Sequence, residues 1–163
     1  MNQQYEQVRE FHEAFNQEMP DKPTMLSRNK SGRPKSVMLG AIADDLDGIC
    51  YEMKQSDYGG MTMKRSSWML EELIEFMEAE TLEDQVDALT DLIYFAIGTF
   101  TLMGVKPEPF FNIVHAANMG KLHEDGKPRF DEQGKIVKPE GWAEKYAPEP
   151  KIVQELMRQS MNA

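Results

Sequence analysis

The sequence is short of several things, and each shortage excludes something. It holds one cysteine, Cys50, in 163 residues. That rules out an intramolecular disulfide and a zinc site built on a cysteine cluster. No apolar run approaches the roughly 18 residues of a membrane-spanning helix, so a membrane partner is not expected. The opening MNQQYEQVRE is polar and lacks the basic-then-apolar order of a secretory signal. A cytoplasmic location is the expectation. Basic residues are also scarce: 18 Lys and Arg stand against 28 Asp and Glu, a formal net charge of −10. Coating nucleic acid needs basic surface, so no nucleic-acid partner is expected. An acidic protein can still take a polyanionic small molecule if metal ions bridge the two, so the placement of the acid matters more than its amount.

What is present is the composition of an ordinary folded chain, 40% hydrophobic and 28% charged. The length suits one sizeable core, and no linker divides it, so a single domain over 1–163 is expected. Val8, Phe11, Ala14 and Phe15 put an apolar stripe on a helix over 3–17, ended by Pro20 and Pro23. Residues 25–35 read as a basic loop. A helix is expected over 36–55 on Val37, Ile42, Leu46, Ile49 and Met53, then a break at 57–60. Helices follow over 62–80 and 83–103, the latter ended by Gly104. Another opens at Pro107 and runs to about Leu122. Two similar turn tetrapeptides, Glu124–Lys127 and Glu132–Lys135, mark an extended or hairpin-like arm. A helix over 148–161 closes the chain. The fold class is therefore all-α: a helical bundle with a short extended C-terminal arm, 123–147.

The acids have a pattern. At about 100° per residue, Glu71, Glu72, Glu75 and Glu78 cluster opposite Leu70, Leu73, Ile74 and Met77. On the next helix Asp84, Asp87 and Asp91 share a face, roughly opposite Val86, Leu89, Ile93, Ile97 and Phe100. Leu92, Phe95 and Leu102 fall outside that stripe, so the helix is apolar around most of its circumference. Such a helix suits an oligomer interface or a monomer core equally. The short break at Thr81-Leu82 lets the two helices fold back as an antiparallel pair. Facing acids would then gather oxygen-only ligands suited to Mg²⁺ or Mn²⁺. Two amphipathic helices with solvated acidic faces account for the same spacing. Gly98, inside the second helix, signals a close approach by a neighbouring helix or a ligand.

With these residues in hand, the chain resembles the MazG-like all-α nucleoside triphosphate pyrophosphohydrolase superfamily, on its phosphoribosyl-ATP pyrophosphohydrolase-like branch. Glu71-Glu72-Leu73-Ile74-Glu75 matches the E-E-x-x-E motif. Asp87-Ala88-Leu89-Thr90-Asp91 stands for the E-x-x-D motif, His115–Lys121 for an Asn-x-x-Lys segment, and Gly134–Trp142 for a Gly-Lys-x-x-Lys-Pro-x-x-Trp arm. One departure is plain. The family places Glu three residues before the Asp, where this chain has Ala88, and the nearest acid is Asp87, about 100° away around the helix. Residues 25–60 have no clear counterpart and read as an insertion.

The resemblance implies Mg²⁺-dependent hydrolysis of a nucleoside triphosphate to monophosphate and pyrophosphate, with Mn²⁺ as a substitute. It implies metal ligands Glu72, Glu75, Asp87 and Asp91. Glu71 would orient or deprotonate the attacking water, or serve as a further ligand. Asn118, Lys121 and Lys138 would contact substrate, and Trp142 would cover a base or anchor the arm. Assembly as a homodimer or homotetramer is implied, and a house-cleaning role on a deoxynucleotide or non-standard nucleotide is preferred. Phosphoribosyl-ATP and dUTP are the rival substrates. A non-catalytic acidic binding module is the rival of another class.

Overall fold

The computed structural model describes residues 1–26, 37–56 and 59–161. Seven helices and no strand occur among the described residues. They group into two compact units, one of Met1–Asp21 with Val105–Ala163 and the other of Lys22–Gly104. Most of the basic loop expected over 25–35 lies outside the described residues.

The Lys22–Gly104 unit holds α2 (Val37–Gln55), α3 (Gly60–Glu78) and α4 (Leu82–Leu102), with α3 packed against both others. Ala43 and Cys50 of α2 meet Ile74 of α3 in a buried cluster flanked by Leu46, Leu70 and Met77. The small residues let the helices approach closely. The Cys50 thiol donates to the Ser67 carbonyl at 3.7 Å, and Ser67 is fully buried. Burial raises the Cys50 pKa.

The α3–α4 connection is three residues long and chemically specified. Thr81 caps α4: its Oγ1 accepts from the Asp84 N–H, and its own N–H donates to Asp84 Oδ2, both at 3.1 Å. This is a capping box with Asp in the third helical position. Asp84 is thereby committed to the cap, which holds its carboxyl below the ordinary range.

The inward face of α4 differs from the sequence expectation. The stripe of Val86, Leu89, Ile93 and Ile97 is on the outside, with Val86 55% and Ile93 42% exposed. Gln85 and Ala88 are the buried positions of α4, and Leu92 and Phe95 continue their face, half-buried. Both faces of this helix are apolar, so periodicity alone could not say which one packs within the chain. Gln85 is buried because its amide reads main chain, accepting from Leu26 N–H at 2.9 Å and donating to Leu26 C=O at 3.0 Å.

The other unit holds α1 (Asn2–Ala14), α5 (Glu108–Met119), α6 (Trp142–Tyr146) and α7 (Pro148–Met161), with α5 packed on α1 and α7. Phe15 is buried and stacks on Phe11 with ring centroids 4.2 Å apart. Gln7 donates to Asn112 at 2.9 Å across the α1–α5 contact. Residues 123–137 form the expected small hairpin, with one antiparallel bridge between Phe130 and Ile136. Both turns carry a glycine with positive φ, Gly126 at +73° and Gly134 at +78°, a conformation that suits glycine. The short α6 lies where an extended arm was expected.

Candidate active site

The site is built on α3 and α4, and two layers of side chains fix their register. Farthest from the connection, the Arg65 guanidinium donates to Thr99 Oγ1 at 3.0 Å and to the Phe95 carbonyl. Next, Trp68 and Phe95 pair with centroids 5.7 Å apart. Arg65 stands 5.1 Å and 5.3 Å from these two ring centroids, so it is held by cation–π attraction as well. Gly98 supplies the room. A Cβ there would stand 2.9 Å from Arg65 Nη2. The close approach that Gly98 signalled is therefore that of a neighbouring helix's arginine.

Above these layers come the acids. Glu71, Glu72 and Glu75 ride α3, and Asp87 and Asp91 ride α4. Glu72 is the electrostatic centre. Its Oε2 is buried with no hydrogen-bond partner among the described residues. Its pKa is raised, first by burial and then by Glu75, Asp91, Glu71 and Asp87 in that order. A half-buried carboxylate pressed by four others is disfavoured as an anion unless cations neutralise it. Asp87 presses least. It sits on an open groove of about 430 Å³ with Leu82, Glu83, Val86 and Thr90, as its 100° offset from the family position implies. The position itself, Ala88, is 3% exposed and offers no donor.

The set provides only hard oxygen donors and a surplus of negative charge, a chemistry that fits Mg²⁺ or Mn²⁺. Among the described residues no three such side chains already stand in an arrangement that would hold an ion. The Lys54 ammonium of α2 pairs with Glu71. No sequence pattern pointed to Lys54, which lies 17 positions away on another helix.

The remaining candidates gather in the other unit, at the C-terminal end of α5. Lys121 Nζ donates to Asn118 Oδ1 at 2.7 Å. Lys138 Nζ lies 3.8 Å from the centroid of the Trp142 ring, and Trp142 Nε1 donates to the Ala117 carbonyl at 3.1 Å. Burial, and then the Lys138 charge, lower the Lys121 pKa. The Trp142 indole is thus engaged through its face and its N–H, which favours anchoring the arm over covering a base. Tyr146 of α6 closes on Gly120, where a Cβ would stand 2.4 Å from its ring. His115 faces Glu10 at 3.3 Å, a contact between α5 and α1.

The helical fold and the comparisons with known proteins place the chain in one class, the all-α hydrolases acting on phosphoric anhydride bonds. Residues 47–118 match the family model described as phosphoribosyl-ATP pyrophosphohydrolase. That match takes in α2 from residue 47, both acidic helices and α5 as far as Asn118. A crystal structure from Exiguobacterium sp. 255-15, of a protein provisionally assigned as an NTP pyrophosphohydrolase, is 30% identical. The alignment covers 98% of this chain and 96% of that one, with a TM-score of 0.64. None of the curated proteins matches. The chain belongs to the MazG-like all-α nucleoside triphosphate pyrophosphohydrolase superfamily, hydrolases acting on phosphoric anhydride bonds.

Proposed function

We propose that this chain hydrolyses a nucleoside triphosphate between the α- and β-phosphates, releasing monophosphate and pyrophosphate. The observation that carries the reading is the buried Oε2 of Glu72, without a hydrogen-bond partner among the described residues, amid Glu71, Glu75, Asp87 and Asp91. Glu72, Glu75 and Asp91 would hold Mg²⁺, with Asp87 as the more distant fourth ligand and Mn²⁺ as a substitute. A bound cation would neutralise charge on the triphosphate oxygens and make a water easier to deprotonate. Glu71 takes the proton of the attacking water and orients it in line with the scissile Pα–O bond. Asn118, Lys121 and Lys138 contact the substrate through a directed hydrogen bond and two point charges. Trp142 holds Lys138.

The 163 residues act together as one catalytic domain in this reading, and the protein assembles as a homodimer or homotetramer. The exposed stripe of Val86, Ile93 and Ile97 supports assembly. The preferred role is cytoplasmic house-cleaning of deoxynucleotides or non-standard nucleotides. A second reading keeps the chemistry and changes the substrate to phosphoribosyl-ATP, and the family match over 47–118 favours it.

The test is a turnover panel with Mg²⁺ over NTPs, dNTPs including dUTP, phosphoribosyl-ATP, and oxidised or deaminated nucleotides, with Glu72→Ala alongside. Monophosphate plus pyrophosphate from the wild type alone supports the assignment and identifies the substrate. Diphosphate plus phosphate overturns the scissile bond. No turnover even with Mn²⁺ leaves a non-catalytic acidic module. Light scattering on the same sample reads the assembly, and a monomer with full activity would remove the oligomer from the reading.

A further inference from the structure

Two adjacent glutamates of α3 have opposite surroundings. Glu72 is half-buried beside other carboxylates, and its buried Oε2 has no hydrogen-bond partner among the described residues. Glu71, about 100° around the helix, is turned to α2, where Lys54 grips its carboxylate. Both members of that pair are about one-third exposed, Lys54 at 36% and Glu71 at 33%. An ion pair this exposed contributes little to stability, so the energetics of folding do not explain it. Its position does: it joins the family's first acidic motif to a helix in which the sequence offered no site residue. We infer that Lys54 is a positioning residue for the proposed reaction. By holding Oε1 it keeps Glu71 back from the metal-ligand set and leaves the other carboxylate oxygen to receive the proton of the attacking water.

The inference rests on the proposed pyrophosphohydrolase reading, and it decides between the two roles open to Glu71. A free Glu71, one residue from Glu72, would swing toward a bound divalent cation and become a further ligand. A water-orienting carboxylate displaced in this way loses its alignment, and misplacement by about 1 Å costs on the order of 100-fold in rate. Lys54 opposes the swing with a charge-assisted hydrogen bond. Arginine can make the same bond, and a neutral side chain of similar length cannot.

The experiment uses the full chain with Lys54→Met, Lys54→Arg, Glu71→Gln and the Lys54→Met/Glu71→Gln double variant. Mn²⁺ affinity is measured by calorimetry without nucleotide, and kcat and KM on the best substrate from the panel. Lys54→Met should lower kcat by about tenfold or more with KM little changed. It should tighten Mn²⁺ binding by about fivefold, because a cation is lost and a carboxylate gained. Its thermal midpoint should stay close to the wild type. Lys54→Arg should restore both quantities, and Lys54→Met should add nothing in the Glu71→Gln background. Unchanged kcat and Mn²⁺ affinity in Lys54→Met would overturn the inference. So would a rise confined to KM, which would mean contact with substrate phosphates, or additivity in the double variant. If the wild type hydrolyses no nucleotide, the functional reading falls. The Mn²⁺ affinities still report whether Lys54 withholds Glu71.

Discussion

Replacing Gly98 by alanine should destabilise this protein, the reverse of the usual result in a helix. In an open helix interior, Gly→Ala gains about 1 kcal/mol. Here the new Cβ would stand 2.9 Å from Arg65 Nη2. A free arginine end would simply move aside. This one donates to the Phe95 carbonyl and to Thr99 Oγ1 and stands close to the rings of both Trp68 and Phe95. A hydrogen bond from a charged group contributes about 1.5–3 kcal/mol, and a partly exposed cation–π contact about 0.5–1 kcal/mol. If the shift forfeits most of the first and some of the second, the loss outweighs the propensity gain. A net loss of about 1–2 kcal/mol is expected. The double-variant arm sharpens the test. With Arg65→Met in place the notch is empty of its cation, and Gly98→Ala should become stabilising by about 1 kcal/mol. Urea unfolding, followed by tryptophan fluorescence, on wild type, both single variants and the double variant measures the coupling. The reasoning is refuted if Gly98→Ala stabilises the wild type as much as it stabilises the Arg65→Met protein.

Three further predictions follow from the titrating groups and the cap. The raised Glu72 pKa means the native state binds a proton more tightly than the unfolded chain. In metal-free buffer, stability should therefore rise as pH falls from neutrality through that pKa, and Glu72→Gln should remove this part of the slope while abolishing turnover. Thr81→Ala should cost about 1 kcal/mol in urea unfolding, and it should let the Asp84 pKa rise toward its ordinary value in an NMR titration. Hydrogen bonds from Arg158 and then Gln159 hold the Glu155 carboxyl at about 2. Arg158→Gln should move its NMR titration midpoint upward, with little effect on activity.

Much of the fold was readable because helices announce themselves by spacing. The expected spans 36–55, 62–80 and 83–103 lie within two residues of α2, α3 and α4 at both ends. The acids of α3 and α4 were readable for the same reason. What escaped depends on contacts distant in sequence. No periodicity links Lys54 to Glu71 or Arg65 to Thr99. The packing face of α4 escaped because two apolar faces compete, and a buried glutamine with a small alanine beat four larger residues. The Thr81–Asp84 box was present as a T-x-x-D pattern, but Asp84 fits equally well into the acidic face of Asp84, Asp87 and Asp91. The short α6 escaped because five residues carry too little pattern.

Gln85 carries one more consequence. Its amide offers Leu26 a donor and an acceptor side by side, as a neighbouring peptide group would. Such a clamp is blind to the side chain at position 26, so that residue is free to vary while residue 85 is not. It also distinguishes two nearly identical shapes. Glutamate at 85 would fit the same space, but it would set an acceptor oxygen against the Leu26 carbonyl and add a charge to a helix already crowded with them. In a chain this rich in carboxylates, a single nitrogen in place of oxygen keeps the 22–26 segment bound to α4.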